Sequence, residues 1–170
     1  MFKATVGARA FRDYAGIVSR LKPLPDRAAM MQLAVDAMWD TLGGRGVSWI
    51  GFYTKAEGGD EMLLQARRDK PACSPIGLHG MCGRCWQERK PIIVRDVATL
   101  GANYIACDPK DRSELVIPLF EPDGSCWGVL DADSHDTDSF HDDDVTGLTR
   151  AVERLGLSTP QHPAPYILRL

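Results

Sequence analysis

Five cysteines are the most reactive side chains in this 170-residue sequence. They are Cys73, Cys82, Cys85, Cys107 and Cys126. An odd number of cysteines argues against a fixed disulfide framework and favours reactive or metal-binding thiols. Cys107 is followed directly by an aspartate, and Glu114 opens an apolar strand seven residues later. Each thiol therefore needs its own explanation.

Cys82 and Cys85 form a CxxC motif near the start of a helix predicted over 81–90. A thiol at a helix N-terminus beside Arg84 is expected to have a lowered pKa and a larger thiolate fraction. A thioredoxin-like redox pair is disfavoured, because the motif follows a Gly-rich loop rather than a strand of a βαβ unit.

Two further interpretations of the cysteines rest on their neighbours. Cys126 lies in an apolar strand beside Trp127, which is typical of a buried, inert thiol. One CxxC without a second is weak evidence for zinc, but zinc stays open as an alternative. Its ligands would be Cys82, Cys85, Cys73 and either His79 or Cys107.

Three carboxylates are expected to meet at one end of a sheet. Side chains alternate along a strand, so Asp131 and Asp133 point to the same face, about 6 to 7 Å apart. A turn joins predicted strands 113–120 and 125–133 into a hairpin, which brings Glu114 near both aspartates. Their mutual repulsion would raise the pKa of at least one acid, and the cluster suits a positively charged ligand group.

The composition favours a small-molecule function. The net charge of −3 and the pI near 5.8 argue against a nucleic-acid binder. No apolar run approaches the roughly 18 residues of a membrane span, so we expect no membrane partner. The N-terminal stretch shows no secretory signal pattern, and we expect a cytoplasmic protein.

The periodicity of the sequence predicts an α+β fold in one domain, residues 1–157. Apolar residues at helical spacing predict helices within 10–42, with Asp26 as a cap, and another helix over 140–157. A sheet core is predicted over 47–134. The Pro-rich tail 158–170 has no usable period, and we expect it to be disordered or to lie against a partner.

Seven short motifs in the same order resemble the free methionine-(R)-sulfoxide reductases, which are GAF-domain enzymes. The resemblance covers about 47–155. The motifs are SWIGFY (48–53), KPAC (70–73), GMCG (80–83), VRDV (94–97), IACD (105–108), RSELVIPL (112–119) and GVLDADS (128–134).

The resemblance implies a GAF fold, a mainly antiparallel six-stranded central sheet flanked by helices, in a homodimer that acts on the free amino acid. It places the family's redox cysteines at Cys107, Cys82 and Cys73. It places the residues that bind substrate at Glu114, Asp131, Asp133, Trp49 and Tyr53.

In the chemistry that this resemblance implies, Cys107 attacks the sulfoxide sulfur and becomes a sulfenic acid, which Cys73 or Cys82 resolves as a disulfide. Thioredoxin would reduce that disulfide, with no cofactor and no metal. An acid with a raised pKa would protonate the departing oxygen, and the substrate ammonium would pair with an acid such as Asp131. Trp49 would pack against the S-methyl group.

The sequence departs from the family pattern in two loops and one thiol. The loop 73–82 is one residue shorter than usual, ATLGAN replaces the typical segment before IACD, and Cys85 is an addition that could compete as a resolving thiol. The alternative function is a non-catalytic GAF sensor that binds a small ligand, with redox-active or zinc-bound thiols. Retention of both the thiols and the acids favours the enzyme.

Overall fold

A seven-stranded sheet forms the centre of the fold, in a computed structural model that describes residues 9–170. The first eight residues of the predicted domain lie outside the described residues. Every strand pairing is antiparallel except that of β4 with β7, and the strand order is β3-β2-β1-β6-β5-β4-β7. The strands are β1 (Trp49–Lys55), β2 (Glu61–Arg68), β3 (Ile76–Gly77), β4 (Ile92–Val94), β5 (Ser113–Phe120), β6 (Cys126–Ser134) and β7 (Leu168–Arg169).

Four α-helices flank this sheet, which confirms the predicted α+β class. They are α1 (Tyr14–Arg20), α2 (Arg27–Leu42), α3 (Met81–Glu88) and α4 (Asp142–Arg154). Asp26 caps α2 as predicted, since its carboxylate accepts a hydrogen bond of 2.8 Å from the amide of Ala29. Two short 3-10 helices, Val97–Thr99 and Gly101–Asn103, precede the Cys107 segment. No helix within 9–170 has the length and apolar character to span a bilayer.

The two faces of the sheet have different roles, because successive side chains of a strand point to opposite sides. On one face Ile50, Phe52 and Leu130 pack in a core that also takes in buried residues of α1, α2 and α4. On the other face Trp49 and Tyr53 belong to a second cluster with residues of α3. The second face carries the site.

The C-terminal tail is ordered against the chain's own sheet, which corrects the expectation of disorder or a partner contact. The backbone amide of Leu168 donates to the carbonyl of Pro91 at 2.8 Å, and that of Leu170 donates to Ile93 at 2.9 Å. These bonds make β7 a parallel neighbour of β4 and bring the sheet to seven strands instead of six. Two-residue strands such as β3 and β7 are too short to show a period in sequence.

A buried ion pair joins the N-terminal segment to α4. Asp144 and Arg12 have fully buried side chains, and Arg12 Nη1 donates to Asp144 Oδ1 at 2.9 Å. The same carboxylate accepts from the backbone amide of His141 at 2.7 Å and from the Tyr14 hydroxyl. The acidic run 142–144 forms the first turn of α4, and its last member is buried in the core.

Substitution Asp144→Ala is expected to lower the free energy of unfolding by about 3–5 kcal/mol, because the Arg12 guanidinium would stay buried without its counter-charge. Urea denaturation measures this loss. Asp143→Ala is the matched control, since the Asp143 side chain is 64% exposed. This substitution should lower the free energy of unfolding by about 1 kcal/mol or less. Equal losses in the two variants would contradict the role given to Asp144.

Candidate active site

A small cavity on the α3 face brings together seven of the eight site residues predicted from the sequence. Its volume is about 30 Å³. The predicted residues that line it are Trp49, Tyr53, Cys82, Cys107, Glu114, Asp131 and Asp133. The eighth, Cys73, forms a disulfide with Cys107 at the edge of the cavity.

The β5–β6 hairpin assembles the acids as the sequence predicts. Glu114 pairs with Asp133 across the two strands, and Val116 pairs with Asp131. Glu114 and Asp131 are 5% and 6% exposed, and each offers a carboxylate oxygen within 4.8 Å of the other and of Cys82 Sγ. Glu114 Oε2 and Asp131 Oδ1 are buried without a hydrogen-bond partner.

Burial and mutual repulsion raise the pKa of these acids. Burial is the largest cause that raises the pKa of Glu114, and the charge of Asp133 adds to it. Burial likewise raises the pKa of Asp131 and of Asp133, followed by the charge of Glu114 on Asp131 and of Asp131 on Asp133. Among the described residues that line the cavity, none is a lysine, arginine or histidine. The cavity suits a cation or a shared proton.

Two aromatic residues of β1 wall the cavity and also hold the segment that carries Cys73. The ring centroids of Trp49 and Tyr53 lie 6.1 Å apart. Trp49 Nε1 donates to the carbonyl of Lys70 at 2.9 Å, and the Tyr53 hydroxyl donates to the carbonyl of Cys73 at 2.8 Å. Gly51 is required between them, because a Cβ there would lie 2.4 Å from the Trp49 ring.

The disulfide Cys73–Cys107 lies at the mouth of the cavity, where its Cα atoms are 5.6 Å apart. Cys107 is exposed and Cys73 is half-buried. An external thiol can therefore reach this disulfide without unfolding of the core. The sequence allowed either Cys73 or Cys82 as the disulfide partner of Cys107. In the structure the partner is Cys73.

Cys82 lies deep in the cavity, and its predicted lowered pKa is wrong. Cys82 is 4% exposed, and its pKa is raised, first by burial and then by the charges of Asp131 and Glu114. Together they raise the pKa of Cys82 by more than the N-terminus of α3 and the nearby Arg84 lower it. Cys82 is a protonated thiol at neutral pH instead of a ready nucleophile.

The remaining cysteines lie outside the cavity. Cys85 is fully buried in the core under α3, and Cys126 is half-buried at the start of β6. The zinc site considered from the sequence, with Cys82, Cys85, Cys73 and either His79 or Cys107 as ligands, does not form in this structure. Cys73 and Cys107 are bonded to each other. Within residues 9–170, neither Cys85 nor His79 belongs to a cluster of metal-ligating atoms.

Sequence reasoning missed a polar group beside the disulfide. Lys70 forms an ion pair with Asp108, so the segments that carry Cys73 and Cys107 are also linked by charge. His135 Nε2 lies 3.1 Å from the same aspartate. Asp111 lines the cavity, and burial, with the charge of Asp108, raises its pKa to about 6. The acidic residues between the IACD motif and β5 were the feature of the sequence that could have indicated this polar group.

Comparison with known proteins agrees with this geometry. Residues 25–157 match the family model described as GAF domain. The free methionine-R-sulfoxide reductase of Neisseria meningitidis, solved in complex with its substrate, is 31% identical, with a TM-score of 0.73 over 85% of this chain and 87% of that chain.

Curated relatives point the same way over a shorter span. GAF domain-containing protein A of Dictyostelium discoideum is 37% identical over 63% of this chain, and the match spans 66% of that protein. The free methionine-R-sulfoxide reductase of Saccharomyces cerevisiae is 32% identical over 66% of this chain, and the match spans 63% of the yeast protein. The family model, the sequence matches and the structural likeness together show that this chain belongs to the GAF-domain family, in the group of the free methionine-R-sulfoxide reductases.

Proposed function

We propose that this chain reduces free methionine-R-sulfoxide to methionine with its own thiols. The observation that carries the proposal is the Cys73–Cys107 disulfide at the mouth of a buried pocket lined by acids. A nucleophilic thiol, a second thiol within bonding distance and a protonated acid are the three groups that sulfoxide reduction needs.

In the first step, the Cys107 thiolate attacks the sulfoxide sulfur. The S–O bond then breaks, the oxygen is transferred to Cys107 as a sulfenic acid, and methionine leaves. The oxygen needs a proton as it departs, and Asp133 can supply it because its pKa is raised by burial and by neighbouring acids, while Glu114 is left to pair with the substrate ammonium. The sulfoxide sulfur is reduced by two electrons and Cys107 is oxidised by two.

In the second step, the Cys73 thiol attacks the sulfenic sulfur, and water leaves. The product is the disulfide of the present structure. A dithiol such as thioredoxin then returns both cysteines to thiols, and the exposure of Cys107 gives it access. Cys82 is buried, so a disulfide to Cys82 would be harder for an external reductant to reach.

Selectivity for the free amino acid would come from the buried acids. A substrate ammonium gives the unpartnered oxygens of Glu114 and Asp131 the partner that they lack. A methionine within a peptide has no free ammonium and would leave these buried oxygens without a partner. Trp49 would pack against the S-methyl group, a contact of at most about 1.5 kcal/mol that orients the sulfoxide.

In this cycle, the state after resolution would carry the same Cys73–Cys107 disulfide that the structure contains. The cavity is small in this state, with a volume of about 30 Å³. Reduction of the disulfide would free the Cys107 segment to open the pocket. The homodimer and the cytoplasmic location stay predictions, and light scattering of the purified protein tests the first of them.

The test is consumption of free L-methionine-R-sulfoxide by the purified chain with thioredoxin or dithiothreitol, followed by mass-spectrometric mapping of disulfides. We expect methionine to form, and the Cys73–Cys107 bond to appear when reductant is limiting. The S-epimer and a peptide that contains methionine sulfoxide are the controls and should react far more slowly. Tight binding of methionine sulfoxide without turnover would instead support the sensor alternative.

Asp111→Asn is expected to move the alkaline limb of the activity profile to lower pH. The ionised Asp111 carboxylate is among the causes that raise the pKa of Glu114, Asp131 and Asp133. Without that charge the proton donor ionises at lower pH, so kcat/KM should begin to fall earlier as pH rises.

The pH dependence of kcat/KM for wild type and Asp111→Asn measures this displacement. Asp136→Asn, at an exposed position outside the cavity, is the control and should keep the wild-type profile. An unchanged alkaline limb in Asp111→Asn would show that Asp111 does not tune the proton donor.

A further inference from the structure

Three buried side chains in the pocket form a donor set that the reduction cycle does not use as a set. Cys82 Sγ and one carboxylate oxygen each from Glu114 and Asp131 lie within 4.8 Å of one another. Three ligand atoms around one metal ion are separated by distances within this limit. All three residues are at least nine-tenths buried, and they line the same cavity.

Two oxygens of this set lack any partner. Glu114 Oε2 and Asp131 Oδ1 are buried and accept no hydrogen bond among the described residues. A buried carboxyl oxygen without a partner is costly, so either a proton shared between the two acids or a cation is expected beside it. In the disulfide-bonded state, the cavity of about 30 Å³ has room for a single ion.

The thiol of Cys82 restricts which class of metal ion this site could bind. The substrate ammonium needs only the carboxylates, and Cys73 supplies the resolving thiol, so neither explains a sulfur atom at this depth. Magnesium and calcium prefer oxygen ligands alone, whereas zinc-class ions combine thiolate and carboxylate ligands. Three protein ligands leave the fourth tetrahedral position for a water molecule.

We propose that Cys82, Glu114 and Asp131 bind one divalent ion of the zinc class, in the place where the substrate ammonium would otherwise lie. Bound metal and bound amino acid are therefore mutually exclusive. Binding releases the protons held by the ligands, so the affinity rises with pH. The metal site itself does not depend on the proposed reductase activity.

The test uses the disulfide-bonded chain in a Zn²⁺ titration against a chromophoric chelator, with no substrate present. A parallel Cd²⁺ titration follows the ultraviolet charge-transfer band of a cadmium–thiolate bond. We expect one metal ion per chain and a Cd²⁺ band in the wild type. Cys82→Ser should abolish the band and weaken Zn²⁺ binding by at least about tenfold.

Cys85→Ser is the matched control, because Cys85 is an equally buried free thiol three residues away that does not line the cavity. It should keep both the band and the affinity. Asp131→Asn provides a second loss-of-ligand variant if Cys82→Ser does not fold. The proposal is overturned if the wild type binds no stoichiometric zinc, or if Cys85→Ser loses the band while Cys82→Ser keeps it. Activity is not measured, so failure of the reductase proposal leaves this result unaffected.

Discussion

Cys107→Ser will abolish reduction of free methionine-R-sulfoxide, with a loss in kcat/KM of about a thousandfold or more. A serine hydroxyl remains protonated at neutral pH and is a far weaker nucleophile toward sulfur than a thiolate. Of the other described cysteines, Cys82 lines the cavity but is buried with a raised pKa, and Cys73, Cys85 and Cys126 do not line it. Methionine formation with dithiothreitol as reductant measures the loss.

Cys73→Ser should fail at a different step of the same cycle. One equivalent of methionine should form per chain, after which Cys107 remains a sulfenic acid that a dimedone-type reagent can trap. Cys85→Ser is the control for loss of a thiol and should turn over like the wild type, since Cys85 lies in the core beneath α3. Full activity in Cys107→Ser would refute the nucleophile, and rapid steady-state turnover in Cys73→Ser with thioredoxin would refute the resolver.

The acid cluster could be predicted from sequence because local rules determine it. The turn between β5 and β6 sets the register, and alternation along each strand then directs Glu114, Asp131 and Asp133 to one face. The same alternation places Trp49 and Tyr53 on that face of β1. These positions depend on neighbours in a hairpin or in one strand, so the sequence carries the information.

Features that depend on distant segments were not predictable in this way. The protonation of Cys82 is decided by burial under α3 and by acids from β5 and β6, not by its place at a helix N-terminus. Asp111 and the Lys70–Asp108 pair belong to loops whose packing no period reveals. Asp144 lies in the acidic first turn of α4, and only the fold shows that it is buried together with Arg12.

Glu114→Gln is expected to lower kcat/KM for free methionine-R-sulfoxide by about a hundredfold. The amide keeps the shape of the side chain but removes a carboxylate that a substrate ammonium would pair with, and an unpaired buried charge on the ligand weakens binding by several kcal/mol. Asp131→Asn removes the opposing carboxylate and should cause a similar loss. Steady-state kinetics measure both, with Asp136→Asn as an exposed control that should retain wild-type values.

The same Glu114→Gln substitution should stabilise the fold at neutral pH, because an acid with a raised pKa opposes folding there. Below the ordinary glutamate pKa of about 4.3, the carboxyl is protonated in both states. Above it, the unfolded chain ionises while burial and Asp133 keep the proton on folded Glu114, so the unfolded state binds fewer protons and stability falls as pH rises. Urea denaturation should show that Glu114→Gln loses less stability than the wild type between pH 4 and pH 7. Lower activity together with lower stability at pH 7 would mean that Glu114 serves packing and does not bind the charge of the ligand. Lower activity together with higher stability would identify Glu114 as a carboxylate that the fold keeps for its ligand at a cost in stability.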